Sequence, residues 1–205
     1  MFKTFSIFIK MINTLTQLDF NKTYSYADYL TWKFSERLEI WKGKINKMSP
    51  APNTSHQRAA SNLHGFLWSA FRKNPCQLFS APFDVRILDQ NKSTPDNEVF
   101  TVVQPDLCVF CDDLKIDKRG AFGAPDLVIE ILSPGNSKKE MKFKFDLYQE
   151  AGVPEYWIVN PADRTVLRYV LRNGFFIGLH PLTDEDAIAC ESFSILDFDV
   201  CDIFD

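Results

Sequence analysis

Apolar and polar positions along this chain fall into blocks that are typical of a mixed α/β protein. Residues 126–132 and 155–160 are nearly continuous apolar runs, which predict buried strands. Between them, residues 138–151 repeat their apolar positions at the helical period, which predicts an amphipathic helix. A strand, a helix and a strand in this order form a crossover. The two strands should therefore run parallel, with a right-handed connection.

Two further segments have the pattern of β-hairpins. Residues 38–41 and 44–48 flank Lys42-Gly43, and residues 166–171 and 175–179 flank Asn173-Gly174. Such pairs suit tight turns whose central residues need positive φ. We expect one hairpin near each end of the chain.

The rest of the pattern predicts a long helix and several short elements. Asn53 can cap a helix that extends to about Lys73. Its apolar stripe should be Ala60, Leu63, Leu67 and Ala70, with His56 in register with the centre of the stripe. The other predicted elements are a short helix at 24–33 with Ser25 as its cap, strands at 77–80, 84–88, 101–103 and 106–110, a loop containing Gly120 and Gly123, and a short edge strand with a final turn between 188 and 204.

Length and composition favour a single domain. The chain has 205 residues, of which 45% are hydrophobic and 14% aromatic, enough to bury a large core. We assign residues 23–205 to one α/β or α+β domain and residues 1–22 to an N-terminal arm, with Met11 as an alternative start of translation. The apolar start is interrupted by Lys10 and lacks a small-residue cleavage pattern, and nothing else approaches the length of a membrane span.

Charge and cysteine content restrict the function and the compartment. The net charge is −4, so the chain has no global basic footprint and any contact with nucleic acid must be local. The five cysteines are an odd and scattered set, which does not resemble a disulfide framework and favours a reducing cytoplasm. Cys108 and Cys111 should face opposite sides of a strand, and no second C-x-x-C pair exists to complete a zinc site.

Three charged residues occupy positions where burial is expected. Lys144 falls in the middle of the apolar arc of helix 138–151, whereas Lys142 falls on the polar arc. Glu130 interrupts the apolar strand 126–132, and Asp106 opens another apolar strand. Buried charges are normally paired or used in chemistry. The group could be a purely structural ion pair, or two carboxylates that bind Mg²⁺ or Mn²⁺ beside a lysine that orients water.

Several ordered segments resemble the Uma-type family, a family of predicted restriction endonucleases within the PD-(D/E)-x-K superfamily. The resemblance covers roughly residues 25–200. The segments that carry it are Met48-Ser-Pro50, His56, Ala81-Pro-Phe-Asp-Val85, Gln104-Pro-Asp-Leu107, Ala124 to Pro134, Lys144 with Leu147-Tyr148, and Ala151 to Val159. It implies a restriction-endonuclease-like core of helix, three strands, helix and strand, with a metal-dependent phosphodiesterase site.

The resemblance also implies roles for individual residues. Asp106 matches the motif aspartate and Glu130 the motif acid, and both would bind the metal. The motif lysine would normally stand at position 132, where this chain has a leucine, so Lys144 on the following helix would replace it. Glu39 matches an additional family glutamate and His56 the histidine that opens the long helix. Their alternative interpretations are a solvent-facing strand residue and a capping or core histidine.

Two functions remain open at this point, beside a third possibility, a structural homodimer that binds no ligand. The first is a Mg²⁺- or Mn²⁺-dependent nuclease in the cytoplasm, acting on nucleic acid, with DNA favoured over RNA. The second is a non-catalytic module that keeps the nuclease fold for interaction with protein or nucleic acid, which the weak basicity of the chain favours. The apolar segment Phe175-Phe176-Ile177 and an outward-facing Trp68 also predict a homodimer.

Overall fold

The structure is a computed structural model that describes residues 11–48, 53–88, 94–134 and 138–205. Residues 1–10 of the predicted arm and Ser49-Pro50 of the family segments lie outside these ranges. The described part contains four α-helices, and the two long ones begin where the sequence predicts. They are α1 (Tyr26–Tyr29), α2 (Thr54–Phe71), α3 (Lys138–Ala151) and α4 (Cys201–Phe204).

Twelve described strands form two mixed sheets of six strands each. The first sheet has the order β2-β1-β5-β4-β8-β7 and the second has the order β12-β11-β10-β9-β6-β3. The strands are β1 (Leu38–Trp41), β2 (Lys44–Lys47), β3 (Gln77–Ser80), β4 (Val85–Arg86), β5 (Val102–Val103), β6 (Leu107–Phe110), β7 (Ile116–Asp117), β8 (Gly120–Phe122), β9 (Leu127–Ile131), β10 (Glu155–Asn160), β11 (Thr165–Arg172) and β12 (Phe175–Gly178).

The predicted crossover lies at the centre of the second sheet. β9 pairs with β10 in parallel, and α3 connects them, as the sequence predicts. β6 pairs with β9 in the antiparallel direction, with Leu107 opposite Ile129. Both predicted hairpins are confirmed, and the turn residues Lys42, Gly43, Asn173 and Gly174 all have positive φ.

The two long helices cover opposite faces of this sheet. Alternate residues of β9 point to opposite sides. Leu127 and Ile129 belong to the apolar cluster that includes Leu63 and Leu67 of α2. Val128, on the other face, belongs to the cluster that includes Leu147 and Tyr148 of α3. A third cluster lies against the first sheet and contains Tyr26, Leu38 and Ile40.

The first sheet is joined to α3 by one stacked aromatic pair. The rings of Trp41 and Phe143 are nearly parallel, with their centroids 4.2 Å apart. Nearby, the exposed Lys42 ammonium forms an ion pair with Glu150 at 2.7 Å. This packing brings strand β1, which carries Glu39, against the helix that carries Lys144.

The described part of the predicted N-terminal arm packs on the domain. The backbone N–H of Ile12 donates to the carbonyl of Thr31, and Leu18 is buried in the third cluster. The tail forms a single bridge between Ala187 and Asp199 before α4. The domain boundary at residue 23 stays a prediction.

One cysteine prediction is wrong. Cys76 and Cys111 form a disulfide bond, and their Cα atoms are 3.9 Å apart. Cys76 immediately precedes β3 and Cys111 immediately follows β6, and these strands are antiparallel neighbours. The pairing arises because two segments 35 residues apart meet in the sheet, which spacing alone does not reveal. Cys108 is a free, buried thiol that faces the opposite cluster from Cys111, as expected.

Other differences concern short elements. The predicted loop around Gly120 is the β7–β8 hairpin. Gly120 has φ +127°, and a Cβ atom there would lie 2.1 Å from the carbonyl oxygen of Asp84, so the position requires glycine. Helix 24–33 is reduced to α1, and strands 84–88 and 101–103 are reduced to two residues each. The buried face of α2 is His56, Ala59, Leu63, Leu67 and Phe71, one position away from the predicted alanines.

The apolar segment proposed for dimer formation lies on an edge strand. Phe175 is 66% exposed and Ile177 is 48% exposed on β12, which is the last strand of its sheet, and Trp68 on α2 is 50% exposed. The homodimer itself stays a prediction.

Candidate active site

Asp106 and Glu130 lie opposite each other at one end of the β6–β9 pair. Leu107 opposes Ile129, so Asp106 opposes Glu130 when the antiparallel register continues by one residue. Directly opposed residues of this kind have Cβ atoms about 4.5–5.5 Å apart. Asp106 Oδ2 also accepts a hydrogen bond from the backbone N–H of Ile131 at 2.8 Å. The side chain of Asp106 remains 23% exposed, whereas Glu130 is buried.

The ammonium of Lys144 lies between two buried carboxylates. Its Nζ is 2.9 Å from Glu130 Oε1 and 3.6 Å from Glu39 Oε1. Lys144 is buried, as its position on the apolar arc predicts, and Lys142 is exposed. Burial by itself lowers the pKa of Lys144, but the charges of Glu130 and Glu39 outweigh it and hold that pKa above its ordinary value. Lys144 is therefore a permanent positive charge in the site.

Glu39 is fully buried, so its interpretation as a solvent-facing strand residue is wrong. Only 1% of its surface is accessible. Its Oε1 accepts from the backbone N–H of Gln104 at 2.9 Å, and its Oε2 accepts from the indole N–H of Trp41 at 2.8 Å. Trp41 reaches Glu39 because residues two apart on a strand share a face. These donors hold the carboxylate in place beside Lys144.

Tyr148 adds a second donor to Glu130. Its hydroxyl donates to Glu130 Oε1 at 2.7 Å, from a position one helical turn after Lys144. The pKa of Glu130 is raised to about 7, because burial and the neighbouring carboxylates of Asp106 and Glu39 together outweigh the lowering effect of Lys144. Burial also raises the pKa of the Tyr148 hydroxyl, which keeps it a donor. Glu130 can therefore gain or lose a proton near neutral pH.

His56 connects the start of α2 to Asp106. Its backbone N–H is capped by the side chain of Asn53, and its Nε2 lies 3.3 Å from Asp106 Oδ2. The ring is buried, and its Nδ1 has no hydrogen-bond partner within the described residues. His56 is therefore a buried histidine that also contacts a carboxylate of the candidate site.

A layer of polar side chains supports Glu39 from behind. Gln104, whose backbone holds Glu39, donates its side-chain N–H to Asp84 Oδ1 at 2.8 Å. Asp84 also accepts from the hydroxyls of Tyr26 and Tyr29, at 3.4 and 3.5 Å. Burial raises the pKa of Asp84 above its ordinary value, against the lowering effect of these hydrogen bonds. Gln104 lies two residues before Asp106, so these hydrogen bonds connect the first sheet to the candidate site.

All five residues predicted for the site fall in one region, and the structure adds three to which the sequence assigned no role: Tyr148, Gln104 and Trp41. Tyr148 could have been found, because it shares the face of α3 with Lys144 and carries a polar group into an apolar region. Trp41 shares a face of β1 with Glu39, whereas the contact of Gln104 with Glu39 depends on where β1 and β5 pair. Within the described ranges, no three Asp, Glu, His or Cys side chains form a group that could by itself hold a metal ion.

Comparisons with known proteins identify the family and the fold of this chain. A family model for Uma2, described as "Putative restriction endonuclease", matches residues 26–199. The crystal structure of "a putative nuclease belonging to DUF820" from Anabaena variabilis is similar to this chain, with a TM-score of 0.68 and 19% sequence identity. The similarity covers 88% of this chain and 97% of that one, so the two share a fold. No curated protein matches the chain. The family match spans most of the sequence, and the chain belongs to the Uma2 family.

Proposed function

We propose that this protein is a divalent-metal-dependent nuclease that hydrolyses phosphodiester bonds in nucleic acid. The observation that carries the proposal is the meeting of two acids and a lysine: Lys144 Nζ lies 2.9 Å from Glu130 Oε1, and Asp106 opposes Glu130 across the β6–β9 pair. A buried lysine between two carboxylates adds little stability compared with packed apolar residues. Its presence is easier to explain by chemistry than by folding.

The residues present fit a Mg²⁺ or Mn²⁺ ion. Asp106 and Glu130 offer hard carboxylate oxygens, and Asp106 is partly exposed to solvent. Mg²⁺ in phosphoryl-transfer sites is commonly bound through one or two carboxylates together with water and substrate phosphates. Two carboxylates are therefore sufficient, even though the described residues provide no group of three. A bound ion of this kind activates water and stabilises negative charge on phosphate.

The side chains around this site have distinct tasks in the proposed reaction. Lys144 orients the attacking water and offsets charge that develops on the phosphate. Glu39 and Glu130 keep that ammonium charged and in place, and Tyr148 fixes the Glu130 carboxylate. His56 orients Asp106 through its Nε2.

The direct test is a cleavage assay with the full chain. We expect single- or double-stranded DNA or RNA to be cut in the presence of Mg²⁺ or Mn²⁺ and to remain intact with EDTA. DNA is the expected substrate, because the family is one of restriction endonucleases. If the protein binds either metal but cuts none of these substrates, the non-catalytic interpretation becomes the better one.

We predict that one divalent ion binds per chain. When ionised, Glu39, Asp106 and Glu130 carry three negative charges, and Lys144 contributes one positive charge, which leaves a net charge of −2. One divalent ion neutralises this charge, whereas a second would find no net negative charge left and would be repelled by the first ion. Titration calorimetry with Mn²⁺ should give a single site. Two sites of similar affinity would contradict this charge balance.

We also propose a compartment and an oligomeric state for this protein. No helix in the described ranges is long and apolar enough to cross a membrane. We place the protein in the cytoplasm, where nucleic acid is available, and as a homodimer through its exposed apolar edge. The Cys76–Cys111 disulfide does not support the reducing compartment, and mass measurement on protein purified without reductant would show whether the bond forms in the cell.

A further inference from the structure

A cleft opens beside the candidate active site, on the side of α2. It has a volume of about 330 Å³ and includes Asp106 and Leu107 at the start of β6. One wall is a face of α2 that carries His56, Gln57, Ser61 and His64, and the remaining walls come from Arg37 and the Ser80-Ala81 segment. A cavity of this size is large enough for a small ligand. Because Asp106 is one of its lining residues, the cleft adjoins the candidate active site.

Most of the polar side chains that line this cleft are hydrogen-bond donors, and Arg37 adds a permanent positive charge. Arg37 and two histidines face a single acid, Asp106, in a protein whose net charge is −4. Serine hydroxyls and the amide of Gln57 add further donors. These donors and the Arg37 charge form a local surface through which an acidic chain could contact nucleic acid.

Arg37 differs from the arginines that serve the fold. Four arginines in the described part pair with acids: Arg86 with Asp117, Arg119 with Asp96, Arg164 with Asp184 and Asp205, and Arg172 with Glu191. Arg168 donates to backbone carbonyls and Arg72 lies over the ring of Trp68. Arg58 is exposed and has no ion pair within the described residues, but it does not line the cleft. Arg37 is exposed, and within the described residues neither its guanidinium nor the His64 ring has a hydrogen bond or ion pair. Its planar donors remain available to an anion.

We propose that this cleft binds a phosphate of the nucleic-acid backbone next to the bond to be cut, with Arg37 as its main anchor and His64 as a further donor. The inference rests on the proposed function for the identity of the ligand. A phosphodiester fits because it presents acceptor oxygens and one negative charge to a donor-lined cleft. The adjoining Asp106 then faces the neighbouring part of the same strand. Arg37 would contact the substrate away from the bond that is cut. It therefore affects the affinity for nucleic acid and not the chemical step.

The test measures binding without cleavage. Fluorescence anisotropy of short labelled DNA and RNA oligonucleotides is recorded in EDTA over a range of salt concentrations. Arg37→Ala should weaken binding by roughly five- to tenfold and reduce the slope of log affinity against log salt by about one, the effect of losing one phosphate contact. Arg37→Lys keeps the charge and should retain most of that slope. Melting curves should be unchanged, because Arg37 is exposed and unpaired within the described residues.

Arg72→Ala is the matched control. It removes the same charge from a position 16 residues after His56, about 24 Å along a helix, and should leave both affinity and salt slope unchanged. Equal effects of the two alanine variants, or wild-type protein that binds no oligonucleotide even at low salt, would overturn the cleft proposal. Normal binding without any metal-dependent cleavage would instead reject the nuclease proposal and leave the cleft in place.

Discussion

Replacing Asp106 with asparagine is expected to remove Mn²⁺ binding and to reduce cleavage by on the order of 10³-fold. The change deletes one of the two carboxylates proposed to hold the ion. Asparagine is nearly isosteric, and its side-chain oxygen can still accept the hydrogen bond from the backbone N–H of Ile131. The fold should therefore survive. Calorimetric titration with Mn²⁺ and an oligonucleotide cleavage assay measure the two effects.

Asp126→Asn is the control for this variant. Asp126 lies at the opposite end of the β6–β9 pair, where its Oδ2 accepts from the backbone N–H of Cys111 at 2.8 Å. It makes the same kind of contact as Asp106 but lies away from Lys144. We expect Asp126→Asn to keep both metal binding and cleavage. Equal losses in the two variants would mean that Asp106 acts through the strand pair and not through a metal.

Replacing Lys144 with methionine should reduce cleavage by on the order of 10²-fold or more while leaving Mn²⁺ binding largely intact. Methionine keeps an apolar chain of similar length and removes only the ammonium. Cleavage and titration measured on the same preparation separate the two steps. Lys142→Met, on the exposed face of the same helix, should behave as wild type. A Lys144→Met protein with normal cleavage would contradict the proposed role.

The same variant should also be less stable, in a way that depends on pH. Breaking a buried ion pair by removing one partner costs roughly 3–5 kcal/mol. Without Lys144, the pKa of Glu130, already raised by burial, should rise further. A carboxyl whose folded pKa is raised contributes stability below its unfolded pKa and loses it as pH rises through the folded pKa. Melting curves should therefore show a larger loss of stability at pH 8 than at pH 5.

The periodicity of the sequence determined the elements that carry the site. Helix α3 and strand β10 have the predicted bounds, because each buries a regular apolar pattern. The same periodicity identified Lys144 as buried, since a charge on an apolar arc is visible without coordinates. The Uma-type resemblance then gave Asp106 and Glu130 their proposed roles as metal ligands, and the family match confirms the resemblance, while the roles stay a prediction.

Only the tertiary structure decided which groups meet. The 3.6 Å approach of Lys144 to Glu39 depends on the packing of the first sheet against α3, which brings together residues more than one hundred positions apart. The Cys76–Cys111 bond depends on the pairing of β3 with β6. The cleft at Arg37 depends on where α2 crosses the start of β6. The periodicity of a sequence reflects which face of each single element is buried. These contacts arise instead from strand register and from packing between elements, and the periodicity of one sequence does not encode either of them.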